Sequence, residues 1–375
     1  MPATPCLIFH CSPLQLTAGG PSGFLAHNLA GRSSAFYRLS EPRPPTQGQF
    51  PASSDADRRS QRERLRLRME RDGLANNNWL ERFEPARQLF YAESAADYRW
   101  IWFHDMPTLY GCLDLLGADQ KVILQPHCPQ RLGEEALEYG QGQAQAQWKT
   151  EVERRAFARA DVLVLPNEHV LPIFTPIIPP QTRVQYLLSG CRQLTASGAS
   201  SLDPRNTYYL YLGRRMAIKG FDIVLDAFGR AHHDDESLRL ILVGRGRTVS
   251  APGVIDVGFS QTPAIWLSSC DYLVSANRQS YFDLSVMEAL SLGTPLIIAC
   301  TGGHRYFMDA DSKGIVRLPG SEAGSLSQAL LANRRKRSEN QEASLANQSL
   351  FANQLSSDRY HHRLETLLSQ MTHNI

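Results

Sequence analysis

Short apolar runs alternate with amphipathic stretches along the whole chain, the pattern of a parallel sheet joined by crossover helices. In the first half the runs Cys6–His10, Trp100–His104, Lys121–Gln125 and Asp161–Leu165 read as buried strands. The longest helical period between them extends from about Trp148 to Ala160. In the second half the strands are Tyr208–Leu212, Leu238–Val243, Tyr272–Ser275 and Pro295–Ala299, with helices starting near Gly220 and Asp283. Two such series in succession predict an α/β protein of two doubly wound halves, with ligands at the carboxyl ends of the strands.

The seam falls between Ser189 and Asn206, where SGCRQLTASGASSLDPRN lacks a long apolar period and is rich in Ser, Gly and Ala. This predicts an N-terminal domain over 1–190, a linker over 191–206 and a C-terminal domain over 207–354. The tail 355–375 has helical periodicity through Tyr360, Leu364, Leu367 and Leu368, and is expected to cross back to the first domain.

Composition sets the class. At 375 residues, 42% hydrophobic and 20% charged, the chain can bury two cores, and disordered and fibrous classes are excluded. A formal charge of +2 gives no bulk electrostatic case for nucleic acid. The seven cysteines form no C-x-x-C pair and have no zinc spacing, which fits a reducing compartment. Met1 to Cys11 has no basic stretch before its apolar residues, and no apolar run approaches membrane-spanning length, so the expected location is cytoplasmic.

Local charge is less even. Asp57 to Asp72 reads DRRSQRERLRLRMERD, with seven arginines from Arg58 to Arg71 and with Leu65, Leu67 and Met69 interleaved at two-residue spacing. Such a segment is either a solvated helix partly neutralised by its four acids or an arginine surface for anionic lipid or a phosphorylated acceptor.

Candidate chemistry concentrates in the second half. In YYLYLGRRMAIKGFDIVLDA a strand ends at Gly213, and Arg214, Arg215 and Lys219 follow before a helix, which makes an anion site. LRLILVGRG is a strand and a glycine-rich turn, although Val249 stands where a third glycine would complete a dinucleotide fingerprint. In DYLVSANRQSYFDLSVMEALSLG a loop leads into a helix whose first amides can hold a diphosphate, with Glu288 placed to accept hydrogen bonds from ribose. The tripeptide Asp309-Ala-Asp311 has the form of a metal-binding motif but follows an aromatic-rich stretch rather than a strand end, so no metal is expected.

The order GRR…KG, LVG.G, VGF, MEALSLGTP and TGG resembles the donor-binding half of retaining glycosyltransferases of family 4, which have the two-Rossmann GT-B architecture. TAGGPSGFLAHNLA, RWIWFHD, KVILQPH and RAFARADVLVLPN follow the same family's order in the first half. The resemblance implies two Rossmann-like domains facing across a cleft, an acceptor-binding first domain and a nucleotide-sugar-binding second domain. It implies that Arg214 and Lys219 bind the donor diphosphate, that Gly19 and Gly20 approach the same phosphates, and that Glu288 holds the ribose. Gly244 would belong to the donor site, the backbone near Phe259 would meet the base, and Ser280, Tyr281, Phe282, Asp283 and Leu284 would form the donor-site loop. His127 and His104 would lie beside the transferred sugar and the acceptor.

One departure stands out. The family carries a Glu-x7-Glu pair, and counting back from Glu288 reaches Ser280, while the usual Glu-Gly-Phe-Gly loop reads Ser280-Tyr281-Phe282-Asp283. Ser280 can hydrogen-bond but brings no charge, and Asp283 can cap its helix, although a carboxylate beside a diphosphate is repulsive unless it points away. The implied activity is metal-independent transfer of a sugar from a nucleotide diphosphate, UDP favoured over GDP, to a glycan or lipid-linked acceptor of bacterial surface polysaccharide or lipopolysaccharide. A non-catalytic homologue acting as a binding partner and a GT-B nucleotide-sugar epimerase are the alternatives.

Overall fold

A computed structural model of the protein describes residues 5–40, 55–74, 80–195 and 202–373. Its strands form two six-stranded parallel sheets. The first contains β1 (Cys6–Phe9), β2 (Tyr37–Leu39), β3 (Trp100–Phe103), β4 (Lys121–Leu124), β5 (Val162–Leu165) and β6 (Arg183–Tyr186), in the order β2-β1-β3-β4-β5-β6. The second contains β7 (Thr207–Leu212), β8 (Leu238–Val243), β9 (Val254–Gly258), β10 (Tyr272–Ser275), β11 (Leu296–Ala299) and β12 (Ile315–Leu318), in the order β12-β11-β10-β7-β8-β9. Each order reverses beside its first strand, as in a doubly wound sheet.

The eight strands legible in the sequence are the eight interior ones. CLIF, WIWF, VLVL and LIIA are buried at every position, because helices cover both faces of a parallel sheet and leave no polar side. The four strands that the apolar pattern misses, β2, β6, β9 and β12, are the sheet edges. Their sequences YRL, RVQY, VIDVG and IVRL mix charged and apolar residues, since an edge strand is only half covered.

By its internal contacts the chain divides into two units, one of residues 1–165, 171–187 and 362–375, the other of 166–170 and 188–361. The linker is expected over 191–206, and the structure shows how the chain is held where that stretch begins. Cys191 is fully buried, its N–H donates to the Leu355 carbonyl, and it accepts from the Ser357 N–H, so the chain is already pinned to the second unit there. Residues 196–201 of that linker lie outside the described residues. The tail forms a helix over Ser357–His373 that buries Tyr360, Leu364, Leu367 and Leu368, and from His362 onward it belongs to the first unit. There Glu365 accepts a hydrogen bond from Ser34 at 2.7 Å.

The arginine-rich segment is a helix, Asp55–Arg71. Leu65 and Met69, one turn apart, face inward onto Phe83, Tyr110 and Trp148, while Leu67 faces out. Not all of its arginines are surface charge. Arg66 is bound by Glu63 and Glu70, and Arg68 reaches Asp114 and the Tyr110 carbonyl, its guanidinium 4.7 Å from the Tyr110 ring centre. Arg59, Arg62, Arg64 and Arg71 are exposed, and the side chain of Arg58 lies outside the described residues. No helix among the described residues is long and apolar enough to cross a membrane.

Candidate functional site

The second unit places its cations at the carboxyl end of β7, and they divide by role. The Arg214 side chain is exposed, and the backbone carbonyl of Arg214 accepts from Tyr211 Oη at 2.5 Å. Arg215 turns inward. Its guanidinium is 2% exposed, grips both oxygens of Asp256 and donates to the Arg247 carbonyl at 2.6 Å. Those hydrogen bonds hold the Asp256 carboxyl down to about 2. Arg214 is therefore the arginine left on the surface, and Arg215 ties β7 to β9.

Lys219 ends a short turn, Ala217–Lys219, before the helix Phe221–Asp234. Its ammonium donates to both oxygens of Asp283, at 2.7 and 2.8 Å, and Asn277 Nδ2 donates to the same carboxylate at 2.8 Å. Burial pushes the Asp283 carboxyl up, but Lys219 and the amide of Asn277 outweigh it and hold the group well below the usual carboxylate range. This corrects the capping role expected of Asp283. It occupies the N-cap position of the helix Leu284–Ser291, yet its side chain makes no capping bond, because it is committed to Lys219.

Ser280 is likewise consumed within the protein. Fully buried, its hydroxyl donates to the Thr301 carbonyl at 2.5 Å and accepts from the His304 N–H at 2.8 Å. Gly303 N–H donates to the Ser280 carbonyl, and a Cβ on Gly303 would lie 1.8 Å from the Tyr281 oxygen. The Thr301-Gly302-Gly303 turn thus clamps the 280–283 loop, and only glycine allows that approach. Ser280 is accordingly not placed as a surface hydrogen-bonding group. Phe282 is buried and stacks on Phe307, with ring centres 5.5 Å apart, and Tyr281 is also buried. Leu284 opens the helix, and Glu288 lies on it, 8% exposed.

The remaining donor-side residues lie at the ends of β8 and β9. A Cβ on Gly244 would sit 1.9 Å from the Gly213 oxygen, so Gly244 serves packing between adjacent strand ends. Phe259 is 47% exposed, and Arg245 lies 4.5 Å over its ring centre, an exposed planar surface that the sequence did not single out beyond Phe259.

In the first unit, Gly19 and Gly20 open the helix Gly20–Asn28, with Gly20 at φ +65°. His104 and His127 follow β3 and β4, with His104 Nδ1 2.9 Å from His127 Nε2. Trp102 stacks on His104, with centres 5.9 Å apart, and Phe24 packs on His127 at 4.6 Å. Burial lowers the His104 value well below the usual one and brings His127 to about 3, so both rings are neutral at pH 7. Sequence reasoning missed two neighbours in this row, His10 after β1 and Gln125 after β4, both buried. Their signal was position: each is the first residue beyond an interior strand. Asp309 and Asp311 are exposed, and among the described residues no group of three or more His, Cys, Asp or Glu is placed to hold a metal ion.

Comparison with known proteins adds the following. Residues 206–333 match the family model described as Glycosyl transferases group 1. No curated protein matches the sequence. Sucrose-phosphate synthase from Thermosynechococcus elongatus is similar in structure, with a TM-score of 0.61 at 17% identity over 78% of this chain and 79% of that one. HepE from Anabaena, in complex with UDP and glucose, gives 0.59 at 13% identity over 76% and 81%. A TarM variant from S. aureus, in complex with fondaparinux, alpha-GlcNAc-glycerol and UDP, gives 0.56 at 11% over 72% and 55%. The chain has the GT-B fold, and its segment 206–333 matches the group 1 glycosyl transferases.

Proposed function

We propose that the protein is a nucleotide-sugar glycosyltransferase whose second unit binds the donor. The observation that carries this reading is that Lys219 meets Asp283 at the start of the Leu284–Ser291 helix, with Arg214 exposed just beyond β7, all inside the segment that matches the group 1 family. Transfer of a sugar requires stabilisation of a departing diphosphate and placement of an acceptor hydroxyl, which is preorganised charge plus positioning. Arg214 offers a planar fork to the phosphate oxygens, Lys219 a point charge, and the helix amides a fixed positive end. Glu288 would accept from the ribose hydroxyls, and the Phe259 face would meet the base. None of these groups needs a metal, so binding should survive a chelator.

The finer reading is a retaining enzyme using a UDP-sugar, with a glycan or lipid-linked acceptor of bacterial surface polysaccharide or lipopolysaccharide, working in the cytoplasm. The complexes of HepE with UDP and glucose and of TarM with UDP support the uridine donor. The neutral imidazoles of His104 and His127 suit contact with uncharged hydroxyls on the acceptor side. The exposed Arg59, Arg62, Arg64 and Arg71 suit peripheral contact with a membrane, and co-sedimentation with vesicles of anionic lipid tests it.

The main test is calorimetry with UDP, GDP and ADP, with and without chelator, on the wild type and on Arg214→Ala. One saturable, chelator-insensitive nucleotide is expected, with the variant weaker by about 1.5–3 kcal/mol, the cost of a charge-assisted hydrogen bond. Turnover of the bound donor's sugar conjugate with a glycan acceptor, read by NMR for anomeric configuration, then tests retention. A second reading, a non-catalytic homologue, is favoured by Ser280, whose hydroxyl is spent on Thr301 and His304. Binding without any turnover would select it.

A further inference from the structure

We propose that Asp283 is an internal competitor of the donor diphosphate for Lys219: its carboxylate occupies the ammonium in the free protein and must give it up when the nucleotide arrives. The inference rests on the donor-site reading above and concerns how that site is tuned.

Its basis is geometric. Both carboxylate oxygens lie within 2.8 Å of Lys219 Nζ, so two of the three ammonium hydrogens are spoken for. The pair is little exposed, 15% for the Lys219 side chain and 16% for Asp283, which strengthens the attraction relative to a surface pair. A diphosphate therefore meets a neutral pair where the sequence promises a free cation, and it meets a fixed carboxylate as well.

The exchange has a defined moving part. The Asp283 N–H donates to His304 Nε2 at 3.2 Å, its carboxylate is held by Asn277, and the loop is clamped through Ser280. Lys219 reaches Asp283 by a flexible four-carbon stem, so the ammonium moves and the carboxylate stays. Return of Lys219 to Asp283 then helps expel the product nucleotide, so the acid sets release as well as affinity.

The test is a double-mutant cycle read by calorimetry with whichever of UDP, GDP and ADP binds the wild type most tightly. Asp283→Asn should bind that nucleotide about tenfold more tightly, since one repulsive charge goes and one cation is released. Lys219→Ala should cost no more than about threefold in the wild type and tenfold or more in the Asp283→Asn background, with non-additivity as the signature of the pair. Equal or weaker binding by Asp283→Asn, or an equal cost of Lys219→Ala in both backgrounds, overturns the proposal. If Asp283→Asn does not fold, Lys219→Ala alone decides: a loss as large as that of Arg214→Ala refutes masking, and a much smaller loss supports it. Binding that depends on Arg214 while these comparisons fail leaves the donor site standing and removes only the competitor. Failure of the wild type to bind any of the three nucleotides removes both.

Discussion

Residues with the same letter do different work here. Arg214 and Arg215 are adjacent, yet only Arg215 is buried against Asp256. Replacing Arg215 with Ala leaves that carboxylate with only the N–H groups of Val249 and Gly258 and no counter-charge, and should destabilise the fold by about 3 kcal/mol in urea denaturation. Arg214→Ala, at an exposed side chain, should cost less in the same denaturation than Arg215→Ala and should weaken nucleotide binding. His304 supplies a pH test. Fully buried, its ring is held at about 4 by desolvation, with Lys219 acting in the same direction against the pull of Asp283. A histidine depressed in the folded state takes up its proton more readily when unfolded. Its contribution is therefore intact above about pH 6.5, falls as the pH drops, and is fully lost near pH 4, at about 1.4 kcal/mol per unit. His104 and His127 add to the same slope. The depressed carboxyl of Asp283 acts in the same direction, but its loss begins only near its unfolded value of about 4 and so lies below that window. His304→Gln, which keeps an acceptor for the Asp283 N–H, should flatten part of the slope of denaturation free energy between pH 6.5 and 4.

Among elements, turns decide where the chemistry sits. A Cβ on Gly303 would also lie 3.0 Å from Val170 Cγ2, so backbone crowds it on one side and a side chain on the other. Gly303→Ala should cost about 2 kcal/mol or more and displace the 280–283 loop, so denaturation and nucleotide affinity should fail together. Helix Asp55–Arg71 is fixed by charge as much as by its apolar face. Asp114 accepts from Arg87 at 2.6 and 2.9 Å and also binds Arg68. Asp114→Asn weakens both bonds, and limited proteolysis should then cut within 55–71 sooner than in the wild type.

For the whole molecule, the two units are the scale at which binding is read. A ligand that binds only the folded state stabilises it by about 2.7 kcal/mol at a concentration one hundred times its dissociation constant. In hydrogen exchange of the full chain with nucleotide, the strongest added protection is expected over 213–220 and 280–288, in the second unit. Equal protection across both sheets would argue for a different site.

The sequence by itself determined the α/β class, the eight interior strands and the order of the two series, because a strand covered on both faces is apolar along most of its length. It also marked the cation-bearing end of β7 and the helix that begins after Asp283. The edge strands escaped it, since half-covered strands tolerate charge and carry no continuous run. What only the tertiary structure decided is which polar groups are available. Residues 64 positions apart pair as Lys219 and Asp283, Ser280 turns to Thr301 and His304, and Arg215 turns inward while Arg214 does not. Side-chain partners of that kind are set by the packing of loops distant in the chain, and no local pattern encodes them.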